Sequence, residues 1–314
     1  MLICPQDSRT RDYEDYSQVS HSYILYVLTT CSRQANRSSS TNFKDYSLPA
    51  PRKKILSKDF GEGIFGADGP AWEHSRAMLR PNFKKSEFGD LSFLEEHFQT
   101  LLELIPDDGQ TIDLHVFFPL LTLDSASELL LGESTKSLKG ANQIEATKFA
   151  DAFSYVGERL ATNMRNPFSG YLPDAKKKRA VQYINNFIDR YVEAALALRT
   201  AEREKGDQEK EVLDDSPPQK YNFLKELANT DYSKEKIRIE LLSILVAGRD
   251  TTAALLSIMW WILARRPDVV AELRKEIAAL NGSPPTLEEV KNFTYLKWVM
   301  NEGKFSPIAA IDPS

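Results

Sequence analysis

The chain is 314 residues long, with 40 Lys+Arg against 45 Asp+Glu and a formal net charge of −5. Hydrophobic residues at 42% and charged residues at 27% are the proportions of a globular chain, which excludes wholesale disorder, collagen and a polytopic membrane protein. The acidic balance leaves no basic surplus to neutralise phosphates, so no nucleic acid is expected as a main partner.

The opening MLICPQDSRTRDYEDY has no apolar run of the signal-peptide kind. Tyr23–Leu28 is apolar but too short to span a bilayer. Residues 29–41 are polar and Ser-rich, and residues 1–41 together read as a disordered N-terminus. Cys4 and Cys31 are the two cysteines, too few for a disulfide framework and outside any zinc spacing. Residues 42–68 read as irregular, from LPAP (48–51) to the Gly-rich GEGIFGADG (61–69). Pro70 opens a helix, where its missing N–H costs nothing, and Pro81 stops it. Further helices are predicted over 91–104, within 111–134 ending at Gly132, and over 145–163 and 175–204. NPFSGYLP (166–173) is a turn-rich break, and the charged run 203–220, with Pro217-Pro218 near its end, is a solvated linker.

Ser233 is placed to cap a long helix running to about Arg266. Its stretch Leu241–Leu263 is apolar enough to suggest a membrane span. Arg249 and Asp250 stand at its centre, and each costs roughly 2.5–3.5 kcal/mol at mid-bilayer. A buried core helix is the better reading. A shorter amphipathic helix follows over 267–280. Thr286 then caps another, with Glu289 completing a capping box. Strand alternation and internal repeats are lacking, so the fold class is mostly α.

Three motifs interrupt this pattern. Gly61, Gly63 and Gly66 match GxGxxG, but the helix opens only at Pro70, so a flexible loop is expected rather than a dinucleotide site. Trp72 and Arg76 are four apart and share a helix face that Arg80 extends. An indole N–H and two guanidiniums there suit a ligand with two carboxylates, although an ordinary solvated stripe has the same spacing. Ala247-Gly-Arg-Asp-Thr-Thr252 puts Gly248 mid-helix, at a cost of roughly 1 kcal/mol against Ala, where a flat group can approach the backbone. Thr251 is placed to bond the Ala247 carbonyl and bend the helix, and with Asp250 to relay a proton. Spacing alone leaves that reading level with a kinked core helix carrying a surface-exposed Arg–Asp pair.

With these residues in view the chain resembles a cytochrome P-450, a haem-thiolate monooxygenase. Ala247–Thr252 is similar to the family's oxygen-activation motif, and Trp72-x-x-x-Arg76 to the helix that holds the haem propionates. GIFGADGPAWEHSRAMLRPNF (from Gly63) and LTLDSASELLLGES (121–134) resemble the fungal alkane and fatty-acid hydroxylase branch. The resemblance implies haem as cofactor, bound by Trp72, Arg76, Ala247 and Gly248, with Asp250 and Thr251 steering protons. It also implies a long aliphatic substrate, an NADPH-cytochrome reductase as electron donor, and a pocket lined by the Gly-rich loop, 150–175 and 240–252.

The resemblance runs over about 42–302. Tyr295–Glu302 is similar to the start of the family's ExxR helix, but Phe305 stands where the pattern has Arg, and 303–314 form a non-family tail. The cysteine loop that ligates iron has no counterpart here, and Cys4 and Cys31 lack its context, so no metal ligand is assigned. The expectation is a partial P-450 fold that binds haem weakly or not at all and is inactive by itself. Its uncovered apolar surface is expected to promote self-association. The alternative is a non-catalytic helical product that binds lipids or proteins. The family acts at the endoplasmic reticulum membrane through an N-terminal anchor that this sequence does not show, which leaves its location open.

Overall fold

Spacing and caps in the sequence account for most of the helix boundaries seen in the computed structural model, which describes residues 47–83, 92–140, 144–166, 169–170, 172–205 and 223–305. The described elements, in order, are α1 (Ala50–Phe60), α2 (Gly69–Leu79), a 3-10 turn (Arg80–Phe83), α3 (Ser92–Glu103), α4 (Leu114–Leu131), α5 (Ile144–Arg165), α6 (Ala175–Lys205), α7 (Phe223–Ala228), α8 (Lys234–Leu263), α9 (Pro267–Ile277) with a 3-10 turn (Ala278–Leu280), α10 (Leu287–Asn292) and α11 (Thr294–Phe305). All are helical, and no strand occurs among the described residues.

The capping residues behave as their chemistry dictates. Ser233 accepts from the Lys236 N–H, and Thr286 forms the reciprocal capping box with Glu289. Pro70 lies in the first turn of α2, and Gly132 ends α4 at φ 81°. One stretch departs from expectation. Residues 50–60, read as irregular, form α1. Its sequence APRKKILSKDF shows little apolar periodicity, and tertiary ties hold it instead. Asp59 pairs with Lys177 of α6 at 2.5 Å, both buried, and Lys58 donates to the Gly170 carbonyl. The expected disordered 1–41 and most of the expected linker 203–220 fall outside the described residues.

The long α8 is the axis on which the other helices collect. α4 packs along it most extensively, and α5 and α6 pair beside it. The main core joins Leu123 and Leu130 of α4, Phe149 and Phe153 of α5, Ile184 and Ile188 of α6, Phe223 of α7, and Ile237, Leu241 and Leu245 of α8. Phe149 stacks on Phe187 at 4.1 Å. A second cluster of Leu101, Phe118, Leu138 and Ala253 lies farther along α8.

By length and composition α4 and α8 would each cross a membrane. Both instead bury charged side chains that find partners inside the protein, Asp124 on α4 and Glu240 and Arg249 on α8. The buried reading of α8 holds for its first two-thirds. Its last turns are open, with Trp260 47% exposed and Trp261 46%, and Arg265 stacks on Trp261 at 3.9 Å. α11 returns to this end, where Gly303 lies against Met259. Burial works to raise the Glu276 pKa, but donation from the Leu296, Tyr295 and Thr294 N–H groups outweighs it and holds the carboxyl below its usual range. That cap ties α9 to the start of α11.

Candidate functional site

Halfway along α8 the helix changes character. Leu241, Leu242, Ser243 and Leu245 are buried, as are Arg249 and Ala253. Ala247 and Gly248 are half-buried, and Thr251 and Thr252 are exposed. These four fall on neighbouring rows of one face, so a helix whose preceding turns are wrapped by its neighbours presents an open stripe of small side chains there. The Thr251 hydroxyl donates to the Ala247 carbonyl at 2.6 Å, the bond expected from the spacing. Thr122 of α4 lies 3.0 Å from the Arg249 carbonyl and 2.9 Å from that of Phe118, and its one proton serves one of them at a time.

The Arg–Asp pair differs from the exposed arrangement that spacing allowed. The Arg249 side chain is 6% exposed and that of Asp250 42%. Arg249 donates to Asp250 Oδ1 at 2.6 Å and to Ser154 Oγ on α5 at 2.5 Å. The charge at mid-helix is therefore turned inward against α5.

Gly248, Thr252 and Leu256 of α8 face an open, largely apolar cavity of about 920 Å³. α3 contributes Phe93 and Phe98, α4 contributes Leu121 and Ala126, and the Pro284–Leu287 turn closes one side. The size is that of a small-molecule or cofactor pocket. A Cβ built on Gly248 would meet Ala126 at an ordinary 3.6 Å, so packing against α4 does not by itself require glycine there.

The Gly-rich loop is neither a phosphate cradle nor a loose strap. Gly61 sits at φ +80°, and the Gly66 and Ala67 N–H groups both donate to the Gly63 carbonyl, closing a tight turn. The turn presses on α8. A Cβ on Gly63 would lie 2.4 Å from Ser243 Oγ and 3.3 Å from the Ile239 carbonyl. Glu240 Oε2 accepts the Ile64 N–H at 3.1 Å. Lys236 Nζ approaches Glu240 Oε1 at 2.8 Å and donates to the Glu62 carbonyl and to Ser75 Oγ of α2. Gly63→Ala should therefore cost about 1–3 kcal/mol by overpacking. Adding Ser243→Ala should recover part of that loss in chemical denaturation. An unchanged midpoint for Gly63→Ala would show that the loop is not held against α8.

This clamp fixes α2, and α2 carries the other predicted group. Arg76 lies over the Trp72 ring at 5.4 Å, so the two do share a face, and the Arg76 side chain is solvent-facing. Arg80 follows as the C-cap of α2. The structure thus brings Trp72 and Arg76 together, and separately Ala247, Gly248, Asp250 and Thr251. α2 docks near Lys236, and Gly248 lies roughly 18 Å farther along the α8 axis at 1.5 Å per residue. Ser154, Lys236 and Glu240 were not legible as site residues. Only the glycines signalled the clamp, through a close approach that sequence cannot assign to a partner.

Comparison with known proteins follows the same lines. Residues 18–303 match the family described as Cytochrome P450. Cytochrome P450 monooxygenase fsdH of Fusarium heterosporum is 40% identical over 269 residues, covering 83% of this chain and 47% of that protein. Cytochrome P450 52A5 of Candida maltosa is 38% identical over 280 residues, covering 83% and 51%. Cytochrome P450 52A1 of Candida tropicalis is 37% identical over 280 residues, covering 83% and 49%. The chain spans about half the length of these curated relatives. Among solved structures, a cytochrome P450DA heme domain superposes with a TM-score of 0.63 at 20% identity, covering 81% of this chain and 54% of that one, and shows the shared fold. Profile, relatives and helical architecture agree, and the chain belongs to the cytochrome P450 family.

Proposed function

We propose that this chain forms the oxygen-facing helical part of a haem-dependent monooxygenase acting on long aliphatic substrates. The open small-residue stripe at 247–252 carries the reading, because small side chains there let a flat group lie against the backbone in the middle of α8. Membership of the family implies haem. The residues present fit it on this side: Ala247 and Gly248 leave the backbone uncovered, and Gly248 opens onto an apolar cavity. Trp72 and Arg76 would hold the acid groups of the macrocycle. Haem, when bound, supplies the redox chemistry that splits dioxygen, with electrons from an NADPH-cytochrome reductase. Thr251 would hold a proton at its hydroxyl, and the half-exposed Asp250 carboxylate would resupply it from solvent. The apolar walls of the cavity would exclude water and suit an aliphatic chain.

The thiolate is a separate matter. The chain holds cysteine only at positions 4 and 31, in segments without the Phe/Gly/Arg context of the family's ligand loop. Purified and haem-supplemented, the 314 residues should show no red-shifted Soret band of a thiolate-ligated haem in the reduced, carbon-monoxide-bound state. The test of function is a chimera in which the segment of cytochrome P450 52A1 beyond the matched region follows Glu302. It should show that band and hydroxylate a long-chain fatty acid or alkane with reductase and NADPH. Asp250→Asn should lower turnover by about 10²-fold. A chimera that folds without taking up haem would sink the cofactor assignment. One that binds haem but oxidises no aliphatic substrate would sink the substrate assignment.

A further inference from the structure

We propose that Ser154 and Arg249 are positioning residues for Asp250, so that α5 sets where this carboxylate sits. The inference rests on the reading of Asp250 as proton donor, and it adds the device that holds the donor in place. Successive residues on a helix point about 100° apart, so Arg249 and Asp250 do not meet by default. They meet because Arg249 is gripped from the other side. One terminal nitrogen donates to Ser154 Oγ at 2.5 Å and the other to Asp250 Oδ1 at 2.6 Å. The guanidinium also lies over the Phe153 ring, 5.4 Å from its centroid. Gly157, one turn beyond Phe153, faces the other oxygen, and a Cβ there would stand 3.4 Å from Asp250 Oδ2. Phe153, Ser154 and Gly157 share one face of α5, and that face is a seat for the pair.

The energetics favour positioning over stabilisation. Arg249 is 5% exposed, and its Nε is buried without a hydrogen-bond partner among the described residues. An incompletely paired buried charge is a poor source of stability, and an apolar side chain of similar volume often serves the fold as well. Asp250 keeps its access to water, so losing Arg249 does not strand a buried carboxylate.

The test needs no haem, so its failure is distinct from that of the monooxygenase reading. Carboxylates of the 314-residue chain are labelled with a carbodiimide and glycinamide and read by mass spectrometry, with the exposed Asp151 of α5 as internal reference. Asp250 should label several-fold more slowly than Asp151 in the parent chain. Ser154→Ala and Arg249→Met should each raise the Asp250 rate several-fold and leave Asp151 unchanged. Ser154→Thr, which keeps the hydroxyl, should restore the parent rate. Arg249→Met should melt within about 2 °C of the parent. The proposal is overturned if Ser154→Ala labels Asp250 at the parent rate, or if Asp250 and Asp151 label alike in the parent. A loss of Tm above about 5 °C for Arg249→Met also overturns it, by assigning Arg249 a purely structural role. Should Arg249→Met fail to fold, that too overturns it.

Discussion

Asp124→Ala should cost about 3–5 kcal/mol, enough to threaten folding near physiological temperature. Asp124 is 1% exposed. Its Oδ1 accepts the Ser137 N–H at 2.6 Å and the Thr135 hydroxyl at 2.8 Å, and its Oδ2 accepts the Leu138 N–H at 2.9 Å. Ser127 supports the same loop by accepting the Thr135 N–H at 3.0 Å. The carboxylate thus takes the place of secondary structure for the segment that leaves α4 through the left-handed Gly132 and Lys136. Alanine strands the buried Ser137 and Leu138 N–H groups, leaves the Thr135 hydroxyl its contact with Ser137 Oγ, and frees Leu138 from the second core cluster. Asp124→Asn keeps the shape but sets an amide donor against N–H donors, so it should fall between alanine and the parent. Urea denaturation followed by circular dichroism measures both. A midpoint for Asp124→Ala within error of the parent would refute the assigned role.

A loss of about 2–4 kcal/mol is expected for Glu240→Leu. Glu240 is fully buried, and its two oxygens serve the Ile64 N–H and Lys236. Leucine leaves the partly buried Lys236 ammonium without its counter-charge and the Ile64 N–H without an acceptor. Because Lys236 also holds Ser75 and the Glu62 carbonyl, the damage should spread to the 61–69 turn and to α2. Limited proteolysis should cut within 61–69 in this variant well before the parent chain is cut. Glu240→Gln keeps the Ile64 acceptor and should lose less. Equal protease resistance in parent and Glu240→Leu would mean that the clamp is held by packing alone.

These two carboxylates mark the boundary between what periodicity reveals and what it does not. α8 was legible because its start, its apolar run and its end are each written locally, in Ser233, Leu241–Leu263 and Arg-Arg-Pro. α1 was not, since a helix held by Asp59–Lys177 and Lys58–Gly170 draws on partners more than a hundred residues away. The motif residues 247–252 showed themselves as a polar and glycine interruption in an apolar helix. Glu240 lies in the same helix and looks like one of several ordinary charges near its start, and only the approach of the 61–69 turn makes it structural.

The sequence by itself determined the helical class, the caps, most boundaries and the family, because hydrophobic period and capping chemistry act within a few residues and shared words survive in relatives. Tertiary structure alone decided that Arg249 turns inward to Ser154, that Gly61 and Gly63 make space for α8 and Gly66 for the Gly61 carbonyl, and that Asp124 and Glu240 replace missing backbone partners. Each of these depends on which distant group fills the space beside a side chain, and that is set by helix packing rather than by the neighbours in the chain.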